Sequence, residues 1–251
     1  MSANTITPTF DPTWPMAEPL VLGQRSYDYY KNAAYKRLQS VTTIIKNCGW
    51  SATGLMYWAN AEGLEGRNIR DARKPEADAG TLAHYYAECY SRQLRPDLTQ
   101  IPDQTEKEKQ LKADCLEKAQ TAFLGFLDWV NREEPEWVSN ELKLVSEKYQ
   151  FGGTIDSFCL LKGVPTLVDF KTSKSLYPDH IMQVAAYKQL LEEHEFQIDQ
   201  VIVLMMNKED GSFMPHPIVD EKLKAGWECF ELCRAMSPYK KVLDSWTAKN
   251  G

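Results

Sequence analysis

Long apolar runs and paired cysteines are both missing from this 251-residue chain. No apolar stretch approaches the roughly 20 residues that span a bilayer, and the N-terminal residues MSANTITPTFDPTWP lack the basic-then-apolar pattern of a signal peptide. The six cysteines form no CxxC pair and no zinc-type spacing, so we expect reduced thiols. These absences predict a cytoplasmic protein with no membrane partner.

Positive charge is also scarce, with 29 Lys and Arg residues against 35 Asp and Glu residues and a net charge of −6. This balance weighs against a protein whose whole surface binds nucleic acid. A local DNA-binding groove is still compatible with this charge, because a bound cation neutralises acidic metal ligands and DNA responds to the local field. With 43% hydrophobic residues the chain can bury a full core, and we expect a single domain.

A strand, a turn, a second strand and a helix are predicted for residues 151–187. Two runs rich in β-branched and aromatic residues, 153–161 and 164–172, flank the dipeptide Lys162-Gly163. This dipeptide signals a tight turn, because glycine accepts positive φ without a Cβ clash. Antiparallel partners then have residue numbers that sum to 325.

Two aspartates and a lysine occupy special positions in the predicted hairpin. Asp156 and Asp169 satisfy this sum and would lie opposite each other, with Cβ atoms about 5 Å apart. Like charges so close repel, and Mg²⁺ or Mn²⁺ would remove the repulsion because these cations prefer carboxylate oxygens. Lys171 shares a face with Asp169, where it can orient or deprotonate a water or balance charge on a phosphate. The alternative is a hairpin with a surface aspartate pair and a neutralising lysine.

The order and spacing of these residues resemble the PD-(D/E)xK nuclease superfamily, in particular its RecB-like and phage-type exonuclease branch. The matching motifs are Gly153-x-x-Asp156, Asp169-Phe170-Lys171 and Gln183-x-x-x-Tyr187. The resemblance implies an α/β (α+β) fold with a restriction-endonuclease-like core, a central mixed β-sheet flanked by helices, and an N-terminal helical extension. It also implies a Mg²⁺- or Mn²⁺-dependent deoxyribonuclease, an exonuclease, in DNA recombination, DNA repair or phage DNA processing.

The same resemblance implies a set of metal ligands. His84, on a helix upstream of the acidic strands, would join Asp156 and Asp169 at the cation. Glu141 would support the metal from the preceding strand, and it fits better than Glu147 by its distance from Asp156. Without the resemblance, a single helical histidine more often packs or faces solvent.

Further roles follow from the resemblance. Gln183 and Tyr187 share one face of the helix after the hairpin and would contact substrate or support the catalytic Lys171. Some relatives hold an iron–sulfur cluster through four cysteines, three of them close together near the C-terminus. Only Cys229 and Cys233 lie in that region here, so no cluster is expected.

The expected partners are a DNA substrate and, through the resemblance alone, an annealing protein or a helicase. Two other classes stay open. One is a non-catalytic DNA-binding recombination protein that retains the nuclease fold. The other is a metal-binding structural or protein-interaction domain, for which DNA would not affect stability.

The whole chain, residues 1–251, is predicted to form one nuclease domain. We divide it into an N-terminal arm and helix at 1–38, a helical region at 39–135, the catalytic sheet and helix at 136–218, and C-terminal helices at 219–251. The first helix is placed at residues 27–38, and Ser40 precedes an apolar repeat as a helix start does.

Other elements follow from composition and periodicity. We expect a loop or short helix at residues 63–80, a long helix crossing the sheet at 102–130, and the first strand of the sheet at 137–151. The runs 200–207 and 212–218 read as a final strand pair around the Asp-Gly turn between them.

Overall fold

The computed structural model describes residues 10–22, 30–49, 52–66 and 69–250. Its elements are, in order, β1 (Tyr30–Lys31), β2 (Arg37–Ser40), α1 (Val41–Cys48), α2 (Ala52–Leu64), α3 (Ile69–Ser91), α4 (Glu106–Glu133), β3 (Glu136–Ser146), β4 (Phe151–Leu161), β5 (Val164–Lys171), α5 (Pro178–Glu193), β6 (Gln200–Met206), β7 (Phe213–Pro217) and α6 (Asp220–Asn250). None of the helices in these ranges has both the length and the apolar character of a membrane span.

A mixed sheet of seven strands forms the centre of the described structure. Its order is β1-β2-β4-β5-β6-β7, and β3 pairs with the other edge of β4. The pairs β2/β4 and β5/β6 are parallel, and the others are antiparallel. Strand β2 pairs with residues 151–152 of β4, and β5 pairs with residues 157–161 of β4. The stretch of β4 between these two pairings opens towards the site described below.

The register of the β4–β5 hairpin agrees with the predicted sum of 325. The pairs run from Ser157↔Val168 to Leu161↔Val164. At the turn, Lys162 has φ 52° and Gly163 has φ 81°, the left-handed backbone that a two-residue hairpin turn requires.

Helices cover both faces of the sheet, as the sequence predicted. The parallel strands β5 and β6 are joined by α5, because a parallel pair needs a crossover. One core lies between the sheet and α1, α5 and α6, and includes Phe151, Ile155, Leu190, Val203 and Phe230. The opposite core lies against α3 and α4, and includes Phe123, Phe126, Trp129, Phe170 and Leu204.

The helix predicted for residues 27–38 is wrong where the structure describes that segment. Tyr30–Lys31 and Arg37–Ser40 are strands, and residues 27–29 lie outside the described ranges. Asn32 forms the turn: its side chain accepts a hydrogen bond from the Lys36 N–H at 2.8 Å, and its backbone pairs with the same residue. A local side-chain bond of this kind outweighs the helical propensity of the segment.

Two further boundaries differ from the prediction. The strand expected at 137–151 ends at Ser146, and a tight turn with Gln150 at φ 58° separates it from β4. The loop or short helix expected at 63–80 is largely helical, because α3 begins at Ile69 and continues through Pro75; residues 67 and 68 lie outside the described ranges.

The remaining elements agree with expectation. The long helix α4 begins after a capping box made by Thr105 and Glu108, and β6 and β7 form the final antiparallel pair. The C-terminal region is one helix, α6. Its Trp227 and Phe230 pack in the core, whereas Tyr239 is 72% exposed.

Candidate active site

The predicted motifs converge where β4, β5, α3 and α5 meet. Gly153 on β4 makes this convergence possible, since a Cβ there would lie 2.8 Å from the Tyr187 ring and 2.9 Å from a methyl group of Leu190. Only a glycine at this position lets α5 lie close enough to bring its polar face to the ends of the strands.

Asp156 lies at the point where the β4–β5 ladder stops. Its Oδ2 accepts a hydrogen bond from the Phe170 N–H at 2.8 Å, so the carboxylate extends the hydrogen bonding between the two strands. Burial raises the pKa of Asp156, and the Lys171 ammonium and the Phe170 N–H counteract that rise.

Asp169 and Lys171 form a buried ion pair on β5. The Lys171 ammonium lies 2.5 Å from Asp169 Oδ2, and the Asp169 side chain is fully buried. Burial raises the pKa of Asp169 to about 6 even though the Lys171 charge lowers it, and the Asp156 charge adds to the rise. Burial opposes the charge on Lys171, but Asp169 and Asp156 outweigh it and raise its pKa. Lys171 is therefore an ammonium at neutral pH.

His84 on α3 faces the same group of residues. Its Nδ1 lies 3.6 Å from Asp156 Oδ2, and its ring meets Phe170 edge to face. Burial lowers the pKa of His84 to about 4, and the Lys171 charge contributes to this effect. The imidazole is therefore neutral at physiological pH, which is the form that binds metals.

Glu141 on β3 lies next to Asp156 across the sheet. The neighbouring pairs Asn140↔Ser157 and Leu142↔Ile155 place it opposite that aspartate, and its φ of 52° marks a local distortion of the strand. Burial raises the pKa of Glu141 to about 8, followed by the charges of Asp156 and Glu88. The β3–β4 register thus puts Glu141 opposite Asp156, and Asp169 on β5 follows Val168, the last residue of the β4–β5 pairing.

Two other glutamates, Glu88 and Glu147, are engaged differently. Glu88 on α3 pairs with Arg92 at 2.5 Å. Glu147 lies in the turn after β3, where its Oε1 accepts a hydrogen bond from the Ala33 N–H at 2.6 Å. Glu147 therefore serves the packing of the N-terminal hairpin on the sheet.

Gln183 and Tyr187 connect α5 to the buried pair. The Gln183 amide donates to Asp169 Oδ1 at 3.2 Å and to the Tyr187 hydroxyl at 3.0 Å. Burial raises the pKa of Tyr187 well above its ordinary value, so the phenol remains protonated. These bonds fix the orientation of Asp169 from the side opposite to Lys171.

A cleft of about 1000 Å³ opens above these residues. Its floor includes His84, Asp156, Lys171, Gln183 and Tyr187. Its other wall comes from the N-terminal hairpin and the first turn of α1, and includes Tyr30, Arg37, Ser40, Thr42, Thr43 and Asn47.

The sequence did not predict this second wall as a whole. Ser40 was predicted only as a helix start, which it is: its Oγ accepts from the Thr43 N–H at 3.1 Å, and Arg37 lies three residues before it on β2. The parallel pairing of β2 with the start of β4 brings both residues to the cleft, and no local pattern signals such a pairing.

The donor types at this site fit a hard divalent cation. Two buried carboxylates with raised pKa values and a neutral imidazole are the kinds of ligand that Mg²⁺ and Mn²⁺ accept. Asp169 Oδ2 contacts Lys171 but makes no hydrogen bond of regular geometry, so it retains acceptor capacity. Among the described residues, however, no three His, Cys, Asp or Glu side chains are arranged so that they could already hold a metal ion together.

Comparisons with known proteins leave the family open. No family model matches the chain, and no curated protein matches it. An exonuclease candidate from Eubacterium rectale has a similar structure, with TM-score 0.47, 15% identity, and 84% of each chain covered. LHK-Exo in complex with dAMP is similar with TM-score 0.33 and 12% identity, over 67% of this chain and 93% of that one. At TM-scores below 0.5 these likenesses establish neither family nor activity.

Proposed function

We propose that this chain is a metal-dependent nuclease that hydrolyses phosphodiester bonds in DNA. The observation that carries the proposal is the grouping of Asp156 and Lys171 at the floor of the large cleft with Asp169, which is buried and in contact with Lys171. Two acids can hold a cation that activates water, and an amine can stabilise the charge that develops when a phosphate ester is hydrolysed.

Electrostatics favour a catalytic use for this group over a structural one. Burial is the first cause of the raised pKa of Asp156, Asp169 and Glu141, and repulsion from neighbouring acids adds to the rise for all three. With all three ionised and one Lys171 ammonium present, the net charge of the group is about −2, which one divalent cation balances. An arrangement this costly is more readily explained by a cation and its chemistry than by folding.

Asp156, Asp169 and His84, with Glu141 as a further ligand, would hold Mg²⁺ or Mn²⁺. Such a cation, when bound, lowers the pKa of a coordinated water and stabilises negative charge on phosphate oxygens. The neutral state of His84 leaves a ring nitrogen available as a donor to the metal.

The other residues act on the substrate or on the ligands. The Lys171 ammonium lies where negative charge grows on phosphorus oxygens, and its raised pKa favours electrostatic stabilisation over proton abstraction. Gln183 orients Asp169 through its amide, and Tyr187 in turn holds Gln183. This chain of contacts keeps the carboxylate in position as substrate enters.

The second wall of the cleft provides donors for a phosphate backbone. Arg37 offers a guanidinium, and Ser40, Thr42 and Thr43 offer hydroxyls at the start of α1. Helix N-termini and such side chains bind phosphate oxygens without reading the bases. A local wall of this kind explains how a chain of net charge −6 would bind DNA.

We further propose an exonuclease of the RecB-like and phage-type branch of the PD-(D/E)xK superfamily. Support comes from the three motifs, because each contributes to one cleft: Asp156 from the first, Lys171 from the second, and Gln183 and Tyr187 from the third. A role in recombination, repair or phage DNA processing, with an annealing protein or a helicase as partner, is proposed from the same resemblance.

The decisive experiment incubates purified protein with end-labelled linear duplex, linear single strands and closed circular DNA. Each substrate is tested with Mg²⁺, with Mn²⁺ and with EDTA. We expect metal-dependent release of nucleotides from linear DNA and no attack on closed circles, since an exonuclease needs an end. Cleavage of circles would replace the exonuclease assignment by an endonuclease.

Matched variants separate the site from contamination. Asp169→Ala and Lys171→Ala should lose at least about a thousandfold in rate, since uncatalysed phosphodiester cleavage is extremely slow. Asp114→Ala and Lys109→Ala make the same changes at exposed positions on α4 and should retain full activity. Equal cleavage by the wild type and both site variants would refute the nuclease proposal.

A further inference from the structure

The second half of α6 carries a broad apolar stripe at the surface. Six large apolar side chains are between 46 and 72% exposed: Leu232, Met236, Tyr239, Val242, Leu243 and Trp246. Exposed apolar residues on a monomer are ordinarily scattered, and a contiguous set marks an interaction surface.

The spacing of these residues is that of a helix-packing surface. Leu232, Met236, Tyr239, Leu243 and Trp246 follow one another at alternating steps of four and three residues, the heptad pattern of helices that pack side by side. The exposed Ala235 and Val242 widen the stripe along one flank.

The body of the protein uses the opposite side of α6. Phe230, Cys233 and Ser237 are buried against the rest of the chain. At about 100° per residue, their mean direction lies about a third of a turn around the helix from that of Leu232, Met236 and Tyr239. The stripe is therefore directed outwards.

We propose that this stripe is a dimer interface, in which α6 packs antiparallel against α6 of a second copy of the chain. Four residues of the stripe, Leu232, Met236, Tyr239 and Leu243, are spaced symmetrically, so a two-fold axis brings apolar side chains against apolar side chains. In the register where contacting residue numbers sum to 475, Leu232 meets Leu243 of the second copy and Met236 meets Tyr239 of the second copy.

Charge and polarity along the flanks of the stripe favour a second copy of α6 as the partner and an antiparallel orientation of the two helices. In the antiparallel register, Ala235 lies against Val242 of the second copy, so apolar groups meet on one flank. A parallel pair would instead put Ala235 beside the Lys240 of the other copy. Lys240 already pairs with Asp244 of its own helix at 2.8 Å, so the antiparallel seam buries no unpaired ammonium.

The area is sufficient for a specific but weak dimer. Residues 232–246 cover about 22 Å of helix. Six apolar side chains of this exposure would bury on the order of 600 Å² per copy, or about 1200 Å² in total, the lower end of specific interfaces. We expect a dissociation constant on the order of micromolar and dimerisation that depends on concentration.

The test is sedimentation of the full chain at concentrations from about 1 to 200 µM, which brackets the expected constant, with four variants. Val242→Glu should raise the dimer dissociation constant at least about a hundredfold, because the two-fold axis places the carboxylate in the seam twice. Ala235→Lys alone should also weaken the dimer. The double variant Ala235→Lys/Val242→Glu should restore it, because each new ammonium then faces a new carboxylate of the other copy.

Ser245→Glu is the matched control, because it adds the same charge to the same helix at an exposed position off the stripe. It should leave the dimer intact, and circular dichroism should show the same helix content for all variants. A wild type that stays monomeric up to 200 µM would overturn the proposal and assign the stripe to a different protein. A dimer that survives Val242→Glu, or one that the double variant does not restore, would overturn it as well.

Discussion

Replacement of Asp169 by asparagine should raise the free energy of unfolding of the metal-free protein. The same replacement should abolish the proposed activity when metal is present. Burial raises the pKa of this carboxyl from 3.8 to about 6. A carboxyl whose pKa is higher in the folded state ionises less readily there. Its contribution to the free energy of unfolding is therefore fully present below pH 3.8 and is lost as the pH rises through 6. At about 1.4 kcal/mol per pKa unit, the loss at pH 7 is about 3 kcal/mol.

Asparagine keeps the shape and the acceptor of the protonated acid. Its Oδ1 can still accept from Gln183, which lies 3.2 Å from Asp169 Oδ1. The difference in unfolding free energy, variant minus wild type, should therefore be near zero at pH 4 and approach about 3 kcal/mol at pH 7.

Urea unfolding in EDTA at several pH values measures this difference. Asp114→Asn, the same change at an exposed position on α4, should give a small difference at every pH. An Asp169→Asn variant that is less stable than the wild type at pH 7, or a difference that does not change with pH, would refute the reasoning.

Divalent metal should reverse the order of stability. A ligand that binds only the folded state stabilises it by about 2.7 kcal/mol at 100 times its dissociation constant. Mg²⁺ or Mn²⁺ should thus raise the melting temperature of the wild type and have little effect on Asp169→Asn. An equal shift in both proteins would place the metal elsewhere, whatever the nuclease assay shows.

Three further substitutions test individual contacts. Lys171→Met should reduce cleavage at least about a thousandfold and keep the metal-induced rise in melting temperature, because in the proposed mechanism the ammonium acts on the substrate; loss of both would show a structural role. Gly153→Ala should destabilise the protein by about 1–3 kcal/mol, because the new Cβ would meet the Tyr187 ring at 2.8 Å. Its control, Gly63→Ala, adds a methyl group into open space on α2 and should cost nothing in urea unfolding. Ser40→Ala removes the cap of α1 and should cost about 1 kcal/mol, measured the same way; an unchanged midpoint would contradict the cap.

The hairpin and its flanking elements were predictable because their signals are local. A turn dipeptide between two β-branched runs fixes the register, and the register pairs residues that sum to 325. The helix after the hairpin and the last two strands are likewise encoded within short windows. The N-terminal hairpin was missed because its turn depends on one asparagine side chain, which competes with a helical composition.

The raised pKa values at the site could not be derived from sequence. They arise from burial and from charges on different strands and helices, as in the effect of Asp156 and Glu88 on Glu141. Glu141 was predicted as a metal ligand from the family resemblance, but its position opposite Asp156 follows from the β3–β4 register.

The sequence by itself determined the hairpin, its register and the chemical types of the central residues, because turn residues and strand alternation act over a few positions. Only the tertiary structure decided which surfaces face them. It brought His84 from α3 to Asp156, Gln183 from α5 to Asp169, and the start of α1 to the far wall of the cleft. These contacts join residues far apart in the chain, and they depend on the packing of whole elements, which no short stretch of sequence specifies.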